Sequence, residues 1–415
     1  MSFDVITIYY IFLVLLVFDF GIGVFLEYLN KTRWTDELPV ELSEIYDEEK
    51  YKKSMSYERE KYVFSKFLNI FSSALIFIFV LFGFFGKIFD YIISFGFGEF
   101  FGTLLFFLVL FLAQGFVNLP FSYYYTFVIE QKYGFNKMDK KLFFQDFIKS
   151  LILTIIIGGI LLSIIILIYF FAGKYFWILA WALMVGFSTF MLMFYSSLIV
   201  PIFNKQTPLE NGSLREKIED FAKKVGFRLD NIFVIDGSKR STKANAYFSG
   251  LGPKKRIVLF DTLISDLTDE ELVGVLAHEI GHYKKKHTLQ MLIFSIIQTG
   301  IIFYVLGIVL NYTEFSLALG SNSGSFALGV IAFSIIFSPL SLIFGVLGNI
   351  FSRKNEYEAD EFAGKNHNPE DLKTSLIKLS KNNLSNLRPH PLYEFFYYSH
   401  PTLLKRLDAL DKIKN

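Results

Sequence analysis

Apolar residues in this chain gather in long unbroken runs, not in the alternating or three-to-four-residue patterns of water-soluble elements. A bilayer core of about 30 Å is crossed by about 20 apolar residues in a helix. Seven runs reach that length: residues 5–26, 67–85, 100–124, 151–171, 175–199, 288–310 and 326–350. Seven are too many to be the buried core helices of a soluble domain. The intervening segments 203–287 and 351–415 are polar. Residues 216–225 have helical periodicity, and 231–235 and 256–260 read as short strands rich in β-branched and aromatic side chains. Residues 241–248 fit a loop or an edge strand. The fold predicted is mainly α, a seven-span membrane protein with a polar module containing a small β element. The chain divides into 1–202 (spans one to five), 203–287 (first part of the module), 288–350 (spans six and seven) and 351–415 (second part of the module). No internal repeat or low-complexity linker interrupts this order.

Composition agrees. Apolar residues make up 53% and charged residues 19%, against about 45–50% and about 25% in ordinary globular domains. Mean hydropathy is +0.43, which excludes a disordered or fibrous chain and argues against a soluble one. The net charge of +2 leaves no basic excess to attract nucleic acid. With no cysteine, disulfides, thiolate metal sites and cysteine nucleophiles are all excluded. Their absence favours a bacterial cytoplasmic membrane over the endoplasmic reticulum. The first run lacks a basic lead-in and a small-residue cleavage site, so it reads as a retained span. Residues 27–66 hold eight Lys/Arg and 126–150 hold five, whereas the alternate loops hold one or none. The positive-inside rule therefore puts the N-terminus outside, and the polar module and C-terminus on the cytoplasmic side. Lys284-Lys285-Lys286-His287 reads as the anchor of the sixth span, solvated or bound to lipid headgroups.

Three of the six histidines lie within ten residues. Thr268-Asp269-Glu270-Glu271 opens a helix with a capping box, Leu267 can staple onto Leu272, and no proline stops the helix before the sixth span. On it stands His278-Glu279-Ile280-Gly281-His282. Residues four apart share a helix face, so both imidazoles can reach one Zn2+. Glu279, turned by about 100°, can take the proton of a water that zinc acidifies. Fewer than about one such chain in a hundred would carry H-E-x-x-H by chance. The bland alternative, a polar helix face, predicts neither a third ligand nor partners for the ligands. Both have candidates in Arg353-Lys354-Asn355-Glu356-Tyr357-Glu358-Ala359-Asp360, directly after the seventh span. Glu356 can complete a His2Glu site, and Asp360, on the same face, can accept the N–H of a ligating imidazole. By spacing alone Glu358 and Glu361 rival Glu356.

H-E-x-x-H with R-x-x-E-Y-x-A-D on a seven-span chain resembles the type I CaaX prenyl endopeptidases, integral-membrane zinc metallopeptidases of the gluzincin group. Further matching pieces are Asn204-Lys205-Gln206-Thr207-Pro208-Leu209, Asp236-Gly237-Ser238-Lys239-Arg240-Ser241, Asn245-Ala246-Tyr247-Phe248 and Tyr398-Ser399-His400-Pro401. The likeness covers nearly the whole chain. It implies one Zn2+ per chain on His278, His282 and Glu356, with Glu279 as general base and Asp360 orienting His278. It implies that Asn245 and His400 face the substrate and stabilise the tetrahedral intermediate, and gives Arg353 a structural ion pair. It also implies helices tilted around a water-filled chamber, with which Asp19 in the first span is compatible. One departure is Lys243-Ala244, where the familiar eukaryotic pattern has His-Ser; a basic residue there could alter which peptides are accepted.

The expectation is a membrane zinc endopeptidase, acting as a monomer near the C-terminus of membrane-associated or lipidated peptides, which an edge strand near Asn245 would hold. The alternatives are a quality-control protease without prenyl preference and a non-catalytic transporter or scaffold with a structural metal.

Overall fold

The computed structural model describes residues 4–228, 232–250 and 256–413. Among these, six helical segments are long and apolar enough to cross a membrane: Val5–Lys31, Glu48–Leu81, Gly98–Glu130, Lys140–Phe203, His287–Val309 and Phe326–Asn366. The predicted fourth and fifth spans both fall in Lys140–Phe203, which accounts for six segments against seven runs. A straight helix of its 64 residues would be about 96 Å long, far beyond one bilayer. It is not straight. Helix Lys140–Ala172 ends at Gly173, whose φ of +51° turns the chain, and Phe176–Leu198 packs back against it. Ile166 from the first limb and Phe176 and Ala180 from the second share one core cluster.

Capping sets where several helices start. Asp4, Asp47 and Asp139 each accept a backbone N–H three residues on, at 3.0, 2.7 and 2.7 Å. The second helix begins nineteen residues before its apolar run and stops at Leu81, short of the predicted end at 85. Apolarity continues there, but the backbone reverses at Gly83, φ +64°, where an added Cβ would stand 2.9 Å from Gly320 Cα. The last span overruns its predicted end the other way: helix Phe326–Asn366 runs on for sixteen residues, carrying Arg353, Glu356 and Asp360. Only 6–17% of the residues in the apolar windows are buried, so little of these helices packs against protein.

The polar segments fold around a four-stranded sheet of order β1-β2-β4-β3, with β1 Gln206–Pro208, β2 Ile232–Ile235, β3 Ala246–Ser249 and β4 Arg256–Phe260. Strands β2 and β4 run parallel, and β1 and β3 flank them antiparallel. Both predicted strands form, with Asn231 outside the described residues, and the ambiguous 241–248 supplies the edge strand β3. The predicted helix at 216–225 spans Ser213–Lys224.

Helix Asp269–Lys284 lies at the centre of this module. Its capping box is made: Thr268 N–H donates to Glu271 Oε2 at 2.8 Å, and Glu271 N–H to Thr268 Oγ1 at 3.4 Å. Leu267, Leu272, Leu276 and Ile280 are buried in one core with Ile257 and Leu259 of the sheet and Leu372 from 351–415. The helix does not continue into the membrane. It ends at Lys284, Lys286 takes φ +60°, and a new helix starts at His287.

Candidate active site

Helix Asp269–Lys284 packs along the extension of Phe326–Asn366, and the sequence permits the close approach at Gly281. A Cβ there would stand 3.1 Å from both Cα and O of Ala359. Contact at this point brings Glu356 and Asp360 to the two histidines. His282 Nε2 lies 3.1 Å from His278 Nε2 and 3.2 Å from Glu356 Oε1, and His278 Nε2 lies 3.5 Å from Glu356 Oε2. Tetrahedral ligands about 2.0–2.1 Å from a zinc ion stand about 3.3–3.4 Å apart, so these spacings suit one ion. Glu356 Oε2 is buried with no hydrogen-bond partner among the described residues, Arg406 standing 3.4 Å off, which leaves its lone pairs for a metal ion. Two imidazoles and a carboxylate are the donor set of a gluzincin-type zinc site. The spacing rivals point elsewhere: Glu358 to His287 at 3.2 Å, and Glu361 to Lys365.

Asp360, with 0% exposure, lies 2.8 Å from His278 Nδ1 through Oδ1. Arg406 grips the same carboxylate through two nitrogens, at 2.6 and 2.8 Å, and sends a third to within 3.4 Å of Glu356. Burial opposes protonation of His278, but its bonds to Asp360 and Glu356 prevail and raise it to about 9. Glu279 lines a cavity of about 900 Å3 together with Asn245, Tyr247, His282 and His400. Burial pushes its carboxyl up, against the pull of the two histidines, and no described residue hydrogen-bonds it. That makes it a stronger base than an ordinary glutamate.

Asn245 precedes β3, whose outer edge has no partner strand among the described residues. Its Oδ1 accepts the Ala246 N–H at 2.9 Å, which leaves the amide nitrogen as a donor in the cavity wall. The His400 ring is largely exposed there, with Nε2 3.3 Å from Glu356 Oε1. The structure thus brings His278, Glu279, His282, Glu356, Asp360, Asn245 and His400 to one place.

Three readings change. Arg353 has no carboxylate partner among the described residues; it donates to the carbonyls of Glu394, Phe395 and Tyr398 and so clamps the chain leading to His400. His287 is no interfacial anchor: it is buried, 3.0 Å from His282. Lys243 does not present a free charge to a peptide, since Nζ lies 2.8 Å from Glu130 and 3.0 Å from the Tyr57 hydroxyl. Arg406 escapes the sequence reading altogether. Its signal is a cation on the apolar stripe between Leu403 and Leu410, both buried.

Comparison with known proteins bears on the same residues. Residues 28–205 match the family model described as CAAX prenyl protease N-terminal, five membrane helices. Residues 208–414 match that of peptidase family M48. CAAX prenyl protease 1 of Saccharomyces cerevisiae is 38% identical over 406 residues, covering 91% of this chain and 89% of that protein. The human CAAX prenyl protease 1 homolog is 34% identical over 92% of this chain and 90% of its own length. The crystal structure of S. mikatae Ste24p superposes with a TM-score of 0.92 at 37% identity, covering 97% of this chain and 99% of that one. With likeness running through both the membrane helices and the metal-ligating module, the chain belongs to the type I CaaX prenyl endopeptidases, the membrane-embedded metalloproteases of peptidase family M48.

Proposed function

We propose that His278, His282 and Glu356 hold one zinc ion with which the chain cleaves peptide bonds near the C-terminus of membrane-associated substrates, prenylated CaaX-like peptides among them. The observation that carries this reading is the meeting of three ligand atoms, all within 4.8 Å of one another, beside a cavity bounded by an unpaired strand edge. The substrate class is drawn from the relatives named CAAX prenyl protease 1.

A zinc ion held there supplies Lewis acidity to the scissile carbonyl and lowers the pKa of water. The chain's own groups do the rest. The edge of β3 pairs with the extended substrate backbone. Glu279 takes the proton of the attacking water and returns it to the leaving amine. The Asn245 amide and His400 imidazole donate to the oxyanion, a contribution that water could not make without reorganising. Asp360 holds His278 in one tautomer, and Arg353 holds the segment that carries His400.

The four-part division of the chain, with one module built from 203–287 and 351–415, is supported by the core joining Ile218 and Phe221 to Leu372 and Leu410. We infer a monomer in contact with membrane lipids, its module on the cytoplasmic side, because the module touches the basic-loop segments through Arg240–Asp146 and Lys243–Glu130 and the positive-inside rule assigns such loops to the cytoplasm. Lack of cysteine favours a bacterial membrane, while the relatives named above are eukaryotic; the cytoplasmic placement holds in either. The exposed Gln114 in mid-span supports an interior reached by water.

Glu279→Gln should retain stoichiometric zinc and lose turnover by at least about a hundredfold. The check is metal analysis beside cleavage of a farnesylated peptide, its plain counterpart and an unfolded membrane protein. Turnover retained in the variant would sink the general-base assignment. Equal cleavage of all three substrates would replace CaaX processing with quality control.

A further inference from the structure

We infer that His287, backed by Glu358, is a positioning residue that fixes the tautomer and direction of His282; this rests on reading His282 as a metal ligand. His282 Nε2 points at Glu356, and its other nitrogen, Nδ1, lies 3.0 Å from His287 Nδ1. Two ring nitrogens bond only if one carries a proton and the other does not. A neutral imidazole that ligates through Nε2 keeps its proton on Nδ1. His282 Nδ1–H is therefore the donor and His287 Nδ1 the acceptor. The His287 proton then sits on Nε2, which donates to Glu358 Oε2 at 3.2 Å. The relay ends on a carboxylate, as the shorter His278–Asp360 pair does at 2.8 Å. Each ligating imidazole thus has a fixed partner.

The backbone supports this independently. In an unbroken helix residue 287 would be turned by about 140° from residue 282 and could not face it. The break between Lys284 and His287, with Lys286 at φ +60°, swings the ring back, where only 3% of the residue is exposed. Lysine rarely adopts that conformation. The placement of His287 gives it a purpose.

The test is zinc affinity of the full-length protein in detergent, by competition with a chromophoric chelator, with folding checked by circular dichroism. His287→Ala should bind zinc about 10–100-fold more weakly. His287→Asn, whose side-chain oxygen can stand near the place of Nδ1, should return to within about threefold of wild type, a rescue that a space-filling role would not produce. Glu358→Ala, at a half-exposed site, should weaken binding severalfold, and serves if His287→Ala does not fold. Wild-type affinity in His287→Ala or, failing that, in Glu358→Ala, or an Asn variant as weak as Ala, would overturn the relay. A wild-type protein that takes up no zinc would instead overturn the metal-site reading, and the relay with it.

Discussion

Asp360 and Arg406 show how a buried ion pair can be tied to a ligand. Asp360 is fully buried, and its two oxygens meet Arg406 and His278. Removing one partner of such a pair strands the other in low dielectric, at a cost of about 3–5 kcal/mol. Arg406→Ala should destabilise the fold by that measure, read as a lower thermal unfolding temperature, and loosen zinc. Arg406→Lys should recover little, because an ammonium cannot match the two-nitrogen grip. His278 predicts a pH dependence. Its imidazole is raised from 6.5 to about 9, so in zinc-free protein its stabilisation is fully present below pH 6.5 and lost as pH rises through about 9. Zinc must displace that proton, so zinc affinity should rise with pH over the same window. Thermal unfolding of chelator-treated and zinc-loaded protein across that range checks both signs. His278, Glu279 and His282 are legible in the sequence because one helical turn brings them together. Arg406 and His287 are not, because nothing local says which way a buried cation or a histidine after a helix break will turn.

The site depends on two elements meeting at a glycine. Gly281 sits inside the H-E-x-x-H turn, where a methyl group would press on the Ala359 backbone at 3.1 Å. Gly281→Ala should push the helices apart by a few tenths of an ångström, cost about 1–3 kcal/mol of overpacking, and weaken zinc binding before it unfolds the chain. Chelator competition beside a melting curve checks that order; unchanged zinc affinity would mean the contact does not set the ligand distance. The pattern predicts correctly that a helix opens after Thr268 with a capping box, since both features are local. It misses the break at Lys286 because no proline or glycine announces it. It also ends the last span at 350, because hydropathy sees where lipid contact stops and not where the helix stops.

At the scale of the whole molecule, the basic loops predict a cytoplasmic module. The absence of cysteine offers a clean background. Lys53→Cys should be shielded from an impermeant maleimide in intact cells and Asn311→Cys should be labelled; the reverse pattern would invert the orientation. Long apolar runs, loop charge and the H-E-x-x-H turn are properties of neighbouring residues. The sequence by itself therefore determined a membrane protein, its approximate spans and two of the three ligands of a metal site, Glu356 being singled out from its spacing rivals only by the family resemblance. The choice of Glu356 over Glu358 and Glu361, the meeting of Asn245 and His400 with ligands far off in the chain, the role of Arg406 and the backing of His287 by Glu358 depend on contacts across tens to hundreds of residues. Only packing decides such contacts, because helical spacing fixes which face a side chain is on and not what that face will touch.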